Sequence, residues 1–346
     1  MLKRLSLGLF GLIFVLFGFL AGNLTSAYGL ASGANVTAGT INACVGATPS
    51  SSRVQIKMGE RPLPPSTLLR VDSTGCTAQE KSLNLSSYAN TLLVSANNTP
   101  SVNGANLQAA MASVNPTGVA DAYLIKLEPG VYDLGNSSLV MKQFVDLEGS
   151  GEGITTISGV VTSTAVPVNS GLLVMASNSE VRYLTVDNQA GLNTTAAAIY
   201  SQNVNSASHL THVTANASNG SGAGFGVGMA ITNASPLVMD STFLALGSGS
   251  GGSTAVTFNG GTAPTILNST LKGASGGIIA SSAAGTLTIQ NSTISGGSIA
   301  ISASSNTPRI NVATSQISGA IGLNTTVKCI FTFKSDFATA TNSNCS

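Results

Sequence analysis

From residue 180 onward, apolar and polar positions alternate in short bursts that keep returning. Val181-Arg182-Tyr183-Leu184-Thr185-Val186 is followed by His209-Leu210-Thr211-His212-Val213 and then Val238-Met239-Asp240-Ser241-Thr242-Phe243. Ile266-Leu267-Asn268-Ser269-Thr270-Leu271 and Ile289-Gln290-Asn291-Ser292-Thr293-Ile294 continue the series, with a weaker copy at Val312-Ala313-Thr314-Ser315-Gln316-Ile317. Aligned on Val186, Val213, Phe243, Leu271, Ile294 and Ile317, the copies recur about every 23 to 30 residues, which is solenoid spacing. A second phrase lies between them at the opposite phase, in Gly171–Met175, Ala197–Tyr200, Gly226–Ile231, Ser253–Phe258, Gly276–Ala280, Gly297–Ile301 and Ala320–Leu323. Each phrase is bounded by Gly, Asn or Ser and alternates with a period near two, which predicts a short strand. Every repeat therefore holds at least two strands. No stretch of helical period intervenes, so a βαβ sheet is excluded. One repeat cannot bury its apolar side alone, whereas stacked repeats form a continuous core. The unequal intervals place extra residues in turns, mainly the Gly/Ser/Asn-rich stretches Ala215–Gly224 and Gly247–Gly252.

Composition agrees with this reading. Charged residues make up 8% of the chain and Trp is absent, while small and hydroxyl- or amide-bearing residues abound. That suits a fold of many short strands and turns. The formal net charge of +1 supplies no basic stripe, which argues against nucleic acid as a partner.

The amino terminus reads as a secretory signal. Lys3 and Arg4 precede an apolar run from Leu5 to Ala21, and small residues follow to Ala27. Cleavage after Ala27 is expected, which would leave no membrane attachment; an uncleaved anchor is the competing reading, because the run approaches a spanning length. The four cysteines, Cys44, Cys76, Cys329 and Cys345, form an even set in an exported chain and read as disulfides. Local pairing, Cys44 with Cys76 and Cys329 with Cys345, is expected because a long-range pairing would need the solenoid's ends to meet. Zinc is the alternative, but no C-x2-C spacing occurs. The expected organisation is a signal at 1–27, a Cys-paired segment at 28–98, the solenoid at 99–326 and a stapled, Phe-bearing cap at 327–346.

Residues 102–160 resemble the opening of pectin lyase-like right-handed parallel β-helix proteins. Asn103–Met111 is similar to the short helix that caps the first coil in that superfamily. Leu124–Tyr132 resembles its first strand with a Pro-Gly-x-Tyr turn, and Val145–Ile157 its strand, Gly-rich turn and strand. The resemblance covers roughly residues 100–325 and implies an all-β, single-stranded right-handed parallel β-helix with a short N-terminal capping helix. It implies no single activity, since the superfamily holds polysaccharide lyases, hydrolases, esterases and non-catalytic adhesins.

Enzymes on such a fold gather carboxylates on one face, often with Arg or Ca2+. From Ile154 to Thr326 the acids are Glu180, Asp187 and Asp240, and in the repeat alignment Asp187 and Asp240 fall in different columns. The nearest pectinesterase-like set is Asp187, Arg182 and Gln202; Arg182 and Asp187 are an odd number of residues apart, which on a regular strand turns them to opposite sides. Asp146 and Glu148 share a face, but two carboxylates are a weak calcium signal. Glu148–Gly153 reads as a turn, not a phosphate loop, since it lacks the P-loop Lys. His209 and His212, three apart, read as lying on opposite faces, and neither reads as a metal ligand. No cofactor or metal is expected. What does stack is Asp240, Asn268 and Asn291 in one column, an Asn ladder in a turn, and Thr185, Thr242, Thr270 and Thr293 in another, interrupted by His212. Strand propensity accounts for the Thr column in structural terms. Its functional readings are contact with a polysaccharide or surface glycan or, more remotely, an ordered-water surface. Asn-x-Ser/Thr sequons at Asn216, Asn268, Asn291 and Asn324 read either as glycosylation sites or as turn residues. A non-catalytic exported β-helix is the leading expectation, and a divergent carbohydrate-active enzyme the alternative.

Overall fold

The computed structural model describes residues 42–46, 68–71, 80–84, 90–163, 169–189, 194–218, 224–247, 252–260, 263–281, 285–303, 309–322 and 327–334. The signal, the leader's side chains and the final segment lie outside them. The chain divides into two compact units, Met1–Leu83 and Asn84–Ser346. Within the first, Asn42–Gly46 pairs antiparallel with Leu68–Val71, setting Cys44 opposite Arg70.

The second unit is a right-handed parallel β-helix whose coils each cross three sheets. In the first sheet Ile125, Leu147, Val181, Leu210, Val238, Ile266, Ile289 and Val312 lie in register on successive coils. The second stacks Tyr132, Ile157, Val186, Ala215, Phe243, Leu271, Ile294 and Ile317. The third stacks Leu139, Leu173, Ile199, Met229, Val256, Ile278 and Ile301. All these side chains are buried and belong to one core. Every coil offers its ladder the same apolar inward positions, and that repetition fixes the register. On the outward side of the third sheet, Ala197, Tyr200, Val227 and Ala230 pack into a second apolar cluster with Val174 and Phe225.

The three-sheet coil refines the two strands per repeat read from sequence. Tyr183 and its equivalents adopt positive φ, so the phrase read as one strand bends there and serves two sheets. The bend also corrects the alignment. Val186 pairs with Ala215, not Val213, because the strand His209–Ser218 continues through the stretch expected to be loop. Ala215 and Ala217 are buried in it.

The expected helix is present as α1, Pro100–Ser113, with Pro at its start where a missing N–H costs nothing. Asn103, Leu107 and Met111, spaced four apart, bury one face. Gly104 faces the same way, and a Cβ there would come within 1.9 Å of the Asp133 carbonyl oxygen, so only glycine allows the approach. Asn103 fastens the contact by donating to the Val131 carbonyl at 3.0 Å. The ladder begins one rung before the expected first strand, since Asn90–Val94 pairs in parallel with Tyr123–Leu127. At the far end it continues into Val327–Ile330, which pairs with Arg309–Ala313. Cys329 takes a buried position there; the predicted disulfides involve side chains outside the described residues and stay proposals. Among the described residues no helix is long and apolar enough to cross a membrane.

Candidate functional site

The first and second sheets meet along a ridge. On each coil from Tyr183 onward one residue there sits in the left-handed region: Tyr183 (φ 56°), His212 (52°), Asp240 (49°), Asn268 (50°), Asn291 (50°), Thr314 (48°) and Phe331 (50°). Asp and Asn enter this conformation at low cost, which explains the Asp240-Asn268-Asn291 column seen in the sequence. The coil-to-coil ladder expected from that column is carried mainly by the next residue. Ser241, Ser269, Ser292 and Ser315 are buried, and their hydroxyls accept from the backbone N–H groups of Val213, Ser241, Ser269 and Ser292 at 3.1–3.2 Å. Each hydroxyl then donates to the carbonyl two residues before it, at 2.6–2.7 Å.

Beside the ridge, on the second sheet, Thr156, Thr185, Thr214, Thr242, Thr270 and Thr293 stand in register, followed by Gln316. His212 does not interrupt this column, contrary to the sequence reading. Thr214 occupies the place assigned to it; the two-residue slip in the alignment hid Thr214, and Thr156 lies before the first aligned copy. His212 stands on the ridge, where its ring stacks on that of Tyr183 with centroids 5.2 Å apart and an interplanar angle of 14°. Its nitrogens lie 3.9 Å from a Glu152 oxygen and 4.0 Å from an Asp240 oxygen. Glu152 also accepts a hydrogen bond from the Thr214 hydroxyl. The Gly-rich run Glu148–Gly153 is a turn, and it brings Glu152 toward this point: Gly151 donates to the Tyr183 carbonyl at 2.8 Å and Gly153 N–H to the Thr185 hydroxyl at 3.0 Å.

On the first sheet, Lys126, Glu148, Arg182 and Thr211 form one outward column. Glu148 pairs with Lys126 at 2.9 Å and with Arg182 at 2.8 Å, and Arg182 also engages Glu180. Burial raises the Glu148 carboxyl, but hydrogen bonds and charge from Lys126 and Arg182 outweigh it and hold the group below its usual value. Beside this column run Asp146, Glu180 and His209, with the Glu180 N–H donating to Asp146 at 2.6 Å. These three line a depression of about 350 Å3 together with Phe144, Ala122 and Ala207. Asp146 and Glu148 do share a face, as the sequence indicated, yet Glu148 is already matched by two cations. Counting acids only beyond Ile154 missed both columns; the signal that finds them is the Val145–Glu148 strand aligned on Val181.

The esterase-like set is dispersed over three sheets. Arg182 lies on the first, Asp187 on the second and Gln202 on the third, where Gln202 pairs in register with Thr232. The parity argument for Arg182 and Asp187 does not hold, because the Tyr183 bend resets it: both side chains point outward, from different sheets. Asp187 accepts from Gln189 at 2.6 Å. His209 and His212 are likewise both outward, for the same reason.

No family model matches this chain, and no curated protein matches it. Solved structures do. Pectin methylesterase PemA from Erwinia chrysanthemi is 13% identical, with 70% of this chain and 93% of that chain covered and a TM-score of 0.42. Escherichia coli ybhc is 13% identical over 69% of this chain and 75% of that one, with a TM-score of 0.45. Pectate lyase Pel9A is 14% identical over 70% and 68%, with a TM-score of 0.44. Likenesses this distant carry nothing about chemistry, and the β-helix assignment rests on the coil-to-coil register described above.

Proposed function

We propose that this protein is an exported, non-catalytic β-helix that holds a glycan chain along the second sheet, beside the ridge. The observation that carries the reading is the column of six threonines from Thr156 to Thr293, each on its own coil. Thr185 is buried beneath the Gly-rich turn and Thr214 is bonded to Glu152, so Thr242, Thr270 and Thr293, on coils that repeat at about 4.8 Å, present the evenly spaced hydroxyl donors and acceptors that complement a polyol chain. Strand propensity favours Thr in general; it does not single out one outward column over its neighbour, which reads Ser158, Asp187, Asn216, Leu244, Lys272 and Ser295. The dispersal of Asp187, Arg182 and Gln202 over three sheets favours binding over an esterase-like reaction.

Glycan-array binding of the mature chain, compared with a Thr242→Val/Thr270→Val/Thr293→Val variant, tests the reading. Binding that weakens at least about tenfold in the variant supports it, on the scale of three lost hydrogen bonds. Binding that the variant retains in full would overturn it.

A further inference from the structure

The ridge column singles out one place. Asp240, Asn268 and Asn291 fill the middle of the column, and Thr314 and the exposed Phe331 end it; the coils at Tyr183 and His212 set two rings, stacked on each other, in the same left-handed position. Tyrosine is a poor residue for that backbone, so local turn chemistry does not account for its presence. Its side is not buried either: Tyr183 remains 41% exposed. The preceding coil passes this corner as Gly149-Ser150-Gly151, and two of those three residues bring no side chain to the stack. An exposed aromatic platform therefore lies beside Thr214, one coil before Thr242 in the hydroxyl column assigned above to a glycan.

Charge decides which glycan. The fixed cations of the neighbouring coils, Lys126 and Arg182, are matched by Glu148 and Glu180, and Lys272 stands on the second sheet one coil beyond Asp240. Glu152 and Asp240 flank the His212 ring, and Asp187 stands on the second sheet one outward position beyond Thr185; the hydrogen-bond partners of Glu152 and Asp187, Thr214 and Gln189, are neutral. The platform is thus bordered by carboxylates in a chain whose overall formal charge is +1. Such a border repels a uronate and attracts an ammonium group.

We propose that the Tyr183–His212 stack is a sugar subsite selective for amino-sugar polymers carrying free amines. The apolar face of one ring would lie on the side of Tyr183 away from His212, with its amine directed to Glu152. This rests on the glycan reading above and names its substrate class.

Titration calorimetry with three soluble oligomers tests it: a free-amine hexosamine oligomer, its N-acetylated counterpart and an oligogalacturonate. The intact mature chain should bind the free-amine oligomer at least about fivefold more tightly than the N-acetylated one, and the uronate most weakly. Salt at about 0.5 M should erase that preference. Glu152→Gln/Asp240→Asn should remove the preference while leaving the N-acetylated oligomer bound. Tyr183→Asn, which installs the residue that later coils use, should weaken every oligomer about fivefold without lowering the melting temperature. That second readout separates a platform from a structural role. Equal or tighter binding of the N-acetylated oligomer or the uronate, or full affinity in Tyr183→Asn, overturns the subsite and leaves the glycan reading standing. If none of the glycans on the array binds, both fall.

Discussion

Replacing Ser269 with alanine removes one rung of the interior serine ladder and nothing else of size. The Ser269 hydroxyl accepts from the Ser241 N–H at 3.2 Å and donates to the Leu267 carbonyl at 2.6 Å. After the change the Leu267 carbonyl keeps the Asp240 N–H at 3.1 Å, and the Ser269 N–H keeps Ser292. The group left without a partner is the Ser241 N–H, in a residue 2% exposed. An orphaned buried donor costs about 1–3 kcal/mol, and that is the destabilisation expected. Urea unfolding should show it as a lower midpoint at unchanged slope, and hydrogen exchange should show lost protection at the Ser241 amide. Thr270→Ala, one residue on but outward, serves as control and should stay within about 0.5 kcal/mol of the wild type. The reasoning is refuted if Ser269→Ala is as mild as Thr270→Ala, or if the Ser241 amide exchanges as before.

Phe243→Ala empties a fully buried position in the second ladder and should cost about 3–5 kcal/mol by denaturant unfolding, against under about 1.5 kcal/mol for Phe243→Leu if the coils can repack. Burial, then the nearby Glu128 charge, pushes the Tyr132 phenol up to about 12, against its hydrogen bond to the Glu128 carbonyl. The neutral phenol's contribution is complete below its ordinary value of 10.0 and is lost as pH rises from there toward 12; ultraviolet titration of wild type against Tyr132→Phe should show that Tyr132 adds no tyrosinate until the chain unfolds. Glu148 has the opposite sign. Its depressed carboxyl stabilises the fold above its ordinary value of 4.5, and that contribution is lost as pH falls through the lowered one, so the gap in melting temperature between wild type and Glu148→Gln should close on acidification. A gap independent of pH would contradict the ion-pair account.

The fold was legible because its signal repeats: six copies of one phrase place the same apolar positions inward, and any one copy alone would be ambiguous. The register within a copy was less legible. Val213 looks like the closing residue of its phrase, yet its coil bends one residue earlier, at His212, and Ala215 fills the core position. Alanine carries too weak an apolar signal to outvote valine, so Thr214 was hidden and His212 misplaced. Bends at Tyr183 and His212 were also invisible, since neither residue announces positive φ as Asn268 and Asn291 do. The charged columns around Glu148, Glu180 and Arg182 escaped for a different reason. They join residues more than twenty positions apart, and only the coil-to-coil register brings them together. The threonine column was found in part because its members keep a constant distance from a strong apolar residue in four of the coils.

The most direct test of the central claim is to recover the glycan from a saturated complex with the mature protein and analyse it by mass. Saturable binding with the glycan returned unchanged in length and substitution is the predicted result. Shortened, unsaturated or de-esterified chains, lost on Asp187→Ala, would contradict a non-catalytic role.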